Sequence, residues 1–291
     1  MNLALEDFSV HSFFNAGLIR NMATKKSRKG YICPMNGNNQ ERFIKVWRET
    51  YKVTWDGAGA SGRLGLPHLT SYMQETAWHH AQSLGVGFEA NKQDNRAWAL
   101  MRMEIWTERL PRWEESLTVE TWPAGIEGFL ALRNFRFLDH VDQPYGQATT
   151  AWLIIDAETR RPRRPDAFDY LRKAVVPADK PIMPAPRKIK TPEGNLLKVI
   201  SKKVSYSDID MHGHVNNSRY IGWFLDALPT SWHLNNQIGH LCINFLQEAF
   251  ENDVVDVYFK ELAAGELFVQ GMREADSKTI FTAELNFINH R

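Results

Sequence analysis

Cysteine is nearly absent. Cys33 and Cys242 are the only two in 291 residues. No disulfide framework or cysteine metal cluster follows from two thiols, and a reducing compartment is the simpler expectation. An excess of one charge is also lacking: 35 Lys and Arg face 34 Asp and Glu, for a net charge of +1. No global field therefore points to nucleic acid or to an anionic membrane. No apolar run approaches the roughly 20 residues of a membrane span. What is present is a globular composition, 43% hydrophobic and 24% charged, with ten Trp and sixteen Phe to fill or line large apolar volumes.

Residues 1–41 read as an N-terminal extension, partly disordered. Ala23 to Gly30 is a basic run and Met35 to Gln40 is polar and turn-like. The long apolar core and small-residue cleavage site of a secretory signal are missing. A targeting segment and an appended start with Met22 as the true one both stay open. The expected location is the cytoplasm, or the plastid stroma if the extension is a transit peptide.

From Phe43 the text turns strand-like. Pro67 opens a helical stripe of Leu69, Met73, Thr76, Ala77, His80 and Leu84, and Gly85 closes it. Strands are predicted over 97–106, 117–122, 129–138 and 147–156. Ala99, Met101, Met103 and Ile105 should share one face of the first of these. The order then repeats. A strand over 198–205 leads to a loop and a helix reaching about Leu228, and strands follow over 240–249, 254–259, 265–273 and 279–288. Trp113-Glu-Glu-Ser-Leu-Thr-Val echoes Phe250-Glu-Asn-Asp-Val-Val-Asp. This repetition implies a duplication. Between the halves, 176–192 carries five prolines and reads as a stiff, extended connector. One long helix wrapped by an antiparallel sheet is the hot-dog arrangement. The expected fold is α+β, a tandem (double) hot-dog with two antiparallel sheets joined edge to edge. Its parts are an N-terminal hot-dog unit over 42–175, a Pro-rich linker over 176–197 and a C-terminal unit over 198–291.

The densest chemistry lies in Asp208 to Asn217, where two carboxylates, two imidazoles and two amides crowd into ten residues. An apolar stripe at helical spacing follows immediately: Ile221, Phe224, Leu225 and Leu228. Ionisable groups thus sit on a loop feeding a buried helix. Free backbone N–H groups and the helix dipole at such an end can stabilise an oxyanion. Asp-x-Asp-x-His-x-His on one short loop is poor evidence for zinc, and neither metal nor cofactor is expected.

The loop resembles that of the acyl-acyl carrier protein (acyl-ACP) thioesterases, which runs Asp-x-Asn-x-His-x-Asn-Asn-x-x-Tyr. Asp210, His214, Asn216, Asn217 and Tyr220 match, and His212 stands where the family has Asn. Leu69 to Ala77, Trp98 to Met103, Pro111 to Trp113 and Thr159-Arg160-Arg161 resemble the family's first half. Glu248 matches its catalytic glutamate. The following residue, often Cys in plant members, is Ala249, which excludes a cysteine nucleophile there. The resemblance implies a thioester hydrolase that converts fatty acyl-ACP to free fatty acid and holo-ACP. The alternatives are an acyl-CoA thioesterase and a catalytically weak acyl-binding protein. Asp210 is the candidate nucleophile or base, with an Asx-turn or helix cap as its competing reading. His214 would orient or protonate and Glu248 would polarise water. Backbone N–H groups near Val215 and Asn216 would bind the oxyanion. His212 either replaces the family amide or adds a proton shuttle. Asn216 and Asn217 would cap the helix or meet substrate. Asp208 should only shape the loop.

The first half lacks such a loop and is expected to bind the acyl chain. Met73, Trp78, Trp98, Met101 and Met103 are candidate lining residues, with core packing as the competing reading. The cluster Arg160, Arg161, Arg163 and Arg164 would dock the acidic carrier, or is a solvated loop. His79 and His80 read as packing. Sequence leaves the oligomeric state open, with a homodimer compatible.

Overall fold

The computed structural model describes residues 45–165, 180 and 183–289. The expectations for residues 1–41 and for the start of the linker lie outside these. Residues 42–291 form one compact unit.

The first half contains β1 (Trp47–Lys52), α1 (Leu66–Ser83), α2 (Phe88–Gln93), β2 (Arg96–Thr107), β3 (Ser116–Glu127), β4 (Leu130–Leu138), β5 (Pro144–Asp156) and the short β6 (Pro162–Arg163). The second half contains β7 (Leu197–Lys203), α3 (Asn217–Leu225), α4 (Thr230–Asn235), β8 (Asn236–Phe245), β9 (Val254–Ala263), β10 (Glu266–Arg273) and β11 (Thr279–Asn289). All strands lie in one antiparallel sheet of order β1-β3-β4-β5-β2-β8-β11-β10-β9-β7, with β6 on β5. Reading outward from the centre, β2-β5-β4-β3-β1 is mirrored by β8-β11-β10-β9-β7, which is the pattern a duplication leaves. β2 and β8 pair from Arg102↔Asn244 to Trp106↔His240, so two hot-dog sheets join edge to edge into one.

The echo between Trp113 and Phe250 is real but offset by one residue. Val53 bonds across to Glu114 and Glu115, while Val204 bonds to Asn252 and Asp253. Glu114 and Asn252 share a φ of 71°. The equivalent turns therefore align Glu114 with Asn252.

α1 buries Leu66, Leu69, Thr70, Met73, Thr76, Ala77 and His80, a stripe at i, i+3, i+4 and i+7 spacing. α3 is shorter than expected, nine residues ending before Asp226, and Pro229 then caps α4. The helices lie against each other and against one face of the sheet. Met103, Ile105, Leu241 and Ile243 of the seam join Leu69, Ile221 and Phe224 in a single core.

Alternation puts Arg102, Glu104, His240, Cys242 and Asn244 on the opposite face of the seam. The described part of the linker crosses there. Arg187 gives its N–H (3.0 Å) and its Nε (3.1 Å) to the Glu104 carboxylate, and His240 Nε2 lies 2.9 Å from Glu104 Oε1. Asn244 donates to Arg187 O (2.9 Å) and accepts from Ile189 N–H (2.9 Å). The connector thus acts as a strap across the junction. Burial, with the Glu104 charge beside it, pushes the Cys242 thiol up to about 12.

Candidate active site

The loop before α3 is built from its own backbone. Asp208 accepts from Ser205 N–H (3.0 Å) and gives its carbonyl to Asn216 N–H (2.9 Å), the loop-shaping role expected of it. Asp210 N–H bonds His214 O (2.9 Å), Gly213 N–H bonds Asp210 O (3.0 Å), and Ile209 bridges Val215. Asp at the first position and Gly at the fourth suit such a turn, and Gly213 takes the left-handed φ of 80° that glycine enters freely. Asp210 Oδ1 also accepts from His212 N–H (2.8 Å), an Asx turn. The carboxylate is half-buried and, among the described residues, Oδ2 has no partner. Asp210 thus makes the structural contact of its competing reading and still keeps one oxygen for chemistry.

His212 enters this arrangement through its backbone. Its side chain is exposed and has no hydrogen-bond partner among the described residues. His214 is half-buried, edge-on to Phe250 at 5.2 Å between ring centres, with Nδ1 3.5 Å from Glu248 Oε1.

Glu248 was expected inside a strand, but β8 ends at Phe245. Leu246 and Gln247 N–H groups both bond Ile280 O, at 2.8 and 3.1 Å, so two residues oppose one and the ladder bends away. The segment is then pinned on three sides. Arg273 Nη2 donates to Glu248 O (2.6 Å), Val215 N–H donates to Ala249 O (3.0 Å), and Ala249 N–H donates to Tyr220 Oη (3.3 Å). Burial raises the Tyr220 pKa, keeping the phenol neutral. Arg273 carried no sequence signal, because only the folded bulge brings it to Glu248. The Glu248 carboxylate also meets the Arg160 guanidinium of the first half.

Asn216 is the helix cap, its Oδ1 accepting from Ser218 N–H (2.9 Å) and Ser218 Oγ (2.8 Å). The expected oxyanion donors do not hold. Val215 N–H is committed to Ala249 O and Asn216 N–H to Asp208 O. Asn217, first in the helix, keeps its N–H without a partner among the described residues.

Asn217 also lines a cavity of about 20 Å³ with Met73, Gln74, Leu100, Met103 and Phe135 among its walls. Met73 and Met103 line this cavity, and Trp78, Trp98 and Met101 do not. A bulge between Leu100 and Arg102 flips the alternation of β2, so Leu100 faces the cavity in place of Met101. Trp98 Nε1 donates instead to Asn91 of α2 (3.2 Å), and Trp78 is half-buried elsewhere. Thr70, Thr150, Trp152 and Ser218 complete the lining.

The basic cluster is dispersed. Arg160 pairs with Glu248, Arg163 donates to Asp94 O (2.8 Å), Arg164 lies 5.9 Å from the Phe129 ring centre, and Arg161 is exposed. His80 is fully buried, stacked on Trp47 and 3.0 Å from Arg133, and His79 lies between Glu49 and Glu75. His80 packs, as expected, while His79 is partly exposed and held by the two carboxylates. Among the described residues, no group of three or more His, Cys, Asp or Glu is arranged to hold a metal.

The model of the acyl-ACP thioesterase N-terminal domain matches residues 44–167, and that of the C-terminal domain matches 196–288. The chain belongs to the acyl-ACP thioesterase family. An acyl-ACP thioesterase from Bacteroides thetaiotaomicron superposes with a TM-score of 0.77 at 25% identity, covering 86% of this chain and 100% of that one. The 12:0-ACP thioesterase of Umbellularia californica shares the fold, with a TM-score of 0.72 at 18% identity over 88% of this chain and 100% of its own. A chloroplastic oleoyl-acyl carrier protein thioesterase of Coriandrum sativum is 27% identical over 254 residues, 80% of this chain and 65% of its own length. The chain thus spans just under two thirds of that relative, and 62% of an Arabidopsis thaliana one. Within this acyl-ACP thioesterase fold, Asp210, His214 and Glu248 gather at the start of α3.

Proposed function

We propose that this protein hydrolyses fatty acyl-ACP to free fatty acid and holo-ACP. One observation carries the reading. The acid/base groups Asp210, His214 and Glu248 surround the start of a helix whose first residue, Asn217, also lines an apolar cavity. A thioester carbonyl at that helix end would have its acyl chain directed into the first half.

Thiolates leave readily, so the protein must supply a nucleophile and stabilise the carbonyl oxygen. Asp210, through Oδ2, takes a proton from water or attacks directly. The pair of His214 and Glu248 orients the water and passes a proton to the departing sulfur. The developing oxyanion meets Asn217 N–H and the positive end of α3. The cavity holds about one water in this state, so an acyl chain enters by displacing Met73 and Met103, whose unbranched side chains repack easily.

The partner is an acidic carrier protein, met by Arg161 and by the exposed apolar rim of Met211, Leu246 and Phe250. The test compares acyl-ACP and acyl-CoA carrying the same acyl group. Higher kcat/KM on the protein carrier, falling with salt, is the expected result. Equal or better turnover of acyl-CoA would replace this reading with an acyl-CoA thioesterase.

A further inference from the structure

Arg160 occupies a backbone conformation that an arginine enters at a cost. Its φ is 59°, the left-handed region glycine takes freely. The turn around it is firmly built. Asp156 Oδ1 accepts from Thr159 N–H (2.9 Å), Thr159 Oγ1 (2.9 Å) and Glu158 N–H (3.2 Å). Arg160 N–H bonds Asp156 O (2.9 Å), and Asp156 N–H bonds Arg161 O (2.9 Å). In the shorter Asp-led turn before α3 the left-handed residue is Gly213. Here a long cation is kept instead, and its guanidinium reaches out of the first half to Glu248 Oε1. That same oxygen lies 3.5 Å from His214 Nδ1.

We propose that Arg160 is a positioning residue: it reaches from the first hot-dog half to hold the Glu248 carboxylate beside His214, so the second half's site is completed only by the first. This rests on the hydrolase reading above. It assigns Arg160 a role separate from carrier docking, which its neighbour Arg161 is free to serve.

The experiment uses the full chain with Arg160→Gly, Arg160→Lys and, as a neighbour control, Glu158→Gln, whose side chain is exposed. Each is assayed on acyl-ACP and on the small acyl-N-acetylcysteamine thioester. Arg160→Gly should keep or raise Tm, because glycine relieves the turn. It should lower kcat on both substrates by about 10- to 100-fold, the scale of a misplaced catalytic group. Arg160→Lys should recover part of that loss, and Glu158→Gln should leave kcat on both substrates unchanged. An effect confined to KM for acyl-ACP, or an Arg160→Gly enzyme equal to wild type, would overturn the proposal. If the wild type hydrolyses no acyl thioester, the hydrolase reading fails by itself. The pair is then read from Tm in a cycle of Arg160→Gly, Glu248→Gln and the double variant. Non-additive shifts support the contact and additive shifts overturn it.

Discussion

At residue scale the departure from the family pattern, His212 in place of Asn, has a physical answer. The ring is exposed and has no hydrogen-bond partner among the described residues, while its backbone N–H holds Asp210 Oδ1 at 2.8 Å. Any residue with an N–H can do this. His212→Asn and His212→Ala should therefore both keep kcat within a factor of about 2, as surface substitutions change energies by about 0.5 kcal/mol. The shape of the pH–rate profile should not change. His212→Pro removes the donor and should lower turnover. Loss of a profile limb in His212→Asn would instead show that the imidazole moves a proton.

At element scale the strap is the feature with a measurable energy. Glu104 is almost fully buried, which by itself raises its pKa. Hydrogen bonds from His240 and from the Arg187 N–H and guanidinium outweigh this and hold it below the ordinary glutamate value. A depressed carboxylate stabilises the fold above its unfolded pKa, and that contribution is lost as pH falls through the folded one. Glu104→Gln should cost about 1–3 kcal/mol near neutrality, the range for a broken buried hydrogen-bond set. The Tm gap between variant and wild type should close as pH drops below the ordinary glutamate range. A gap that is constant with pH would mean the loss is one of packing and not of charge.

The strap also marks where reading from sequence stops. Strand and helix existence was legible, because alternation and the α1 stripe are local signals. The conflict at Met101 arose because a bulge moves one residue out of the period, and the period itself gives no sign of it. α3 was overestimated because Leu228 continues the apolar spacing after the helix has already ended before Asp226. α2 and α4, six residues each, are too short to show a stripe. Of the five prolines, Pro184, Pro186 and Pro192 lie among the described residues, and nothing in their spacing shows that this stretch lies across the β2–β8 seam.

At the scale of the whole molecule the two halves repeat one topology and contribute different residues to the candidate site. The second half supplies Asp210, His214 and Glu248. The first supplies most of the cavity lining and the guanidinium beside Glu248. The loop was legible because its titratable residues are contiguous. Its relation to Glu248 was legible only through family resemblance, since His214 and Glu248 are 34 positions apart. The contacts of Arg160 and Arg273 exist only after folding. The backbone oxyanion donors were misplaced because a sequence does not show which N–H groups the loop itself consumes.

The most direct measurement follows the conversion of purified acyl-ACP to holo-ACP by mass spectrometry, in single turnover, for wild type, Asp210→Asn and Glu248→Gln. Wild type should release free fatty acid and holo-ACP. Each variant should retain the wild-type Tm to within a few degrees and react about 10²–10⁴-fold more slowly, the usual cost of losing a positioned proton-transfer group. Variants that turn over like wild type, or a wild type that binds acyl-ACP and leaves the thioester intact, would contradict the account.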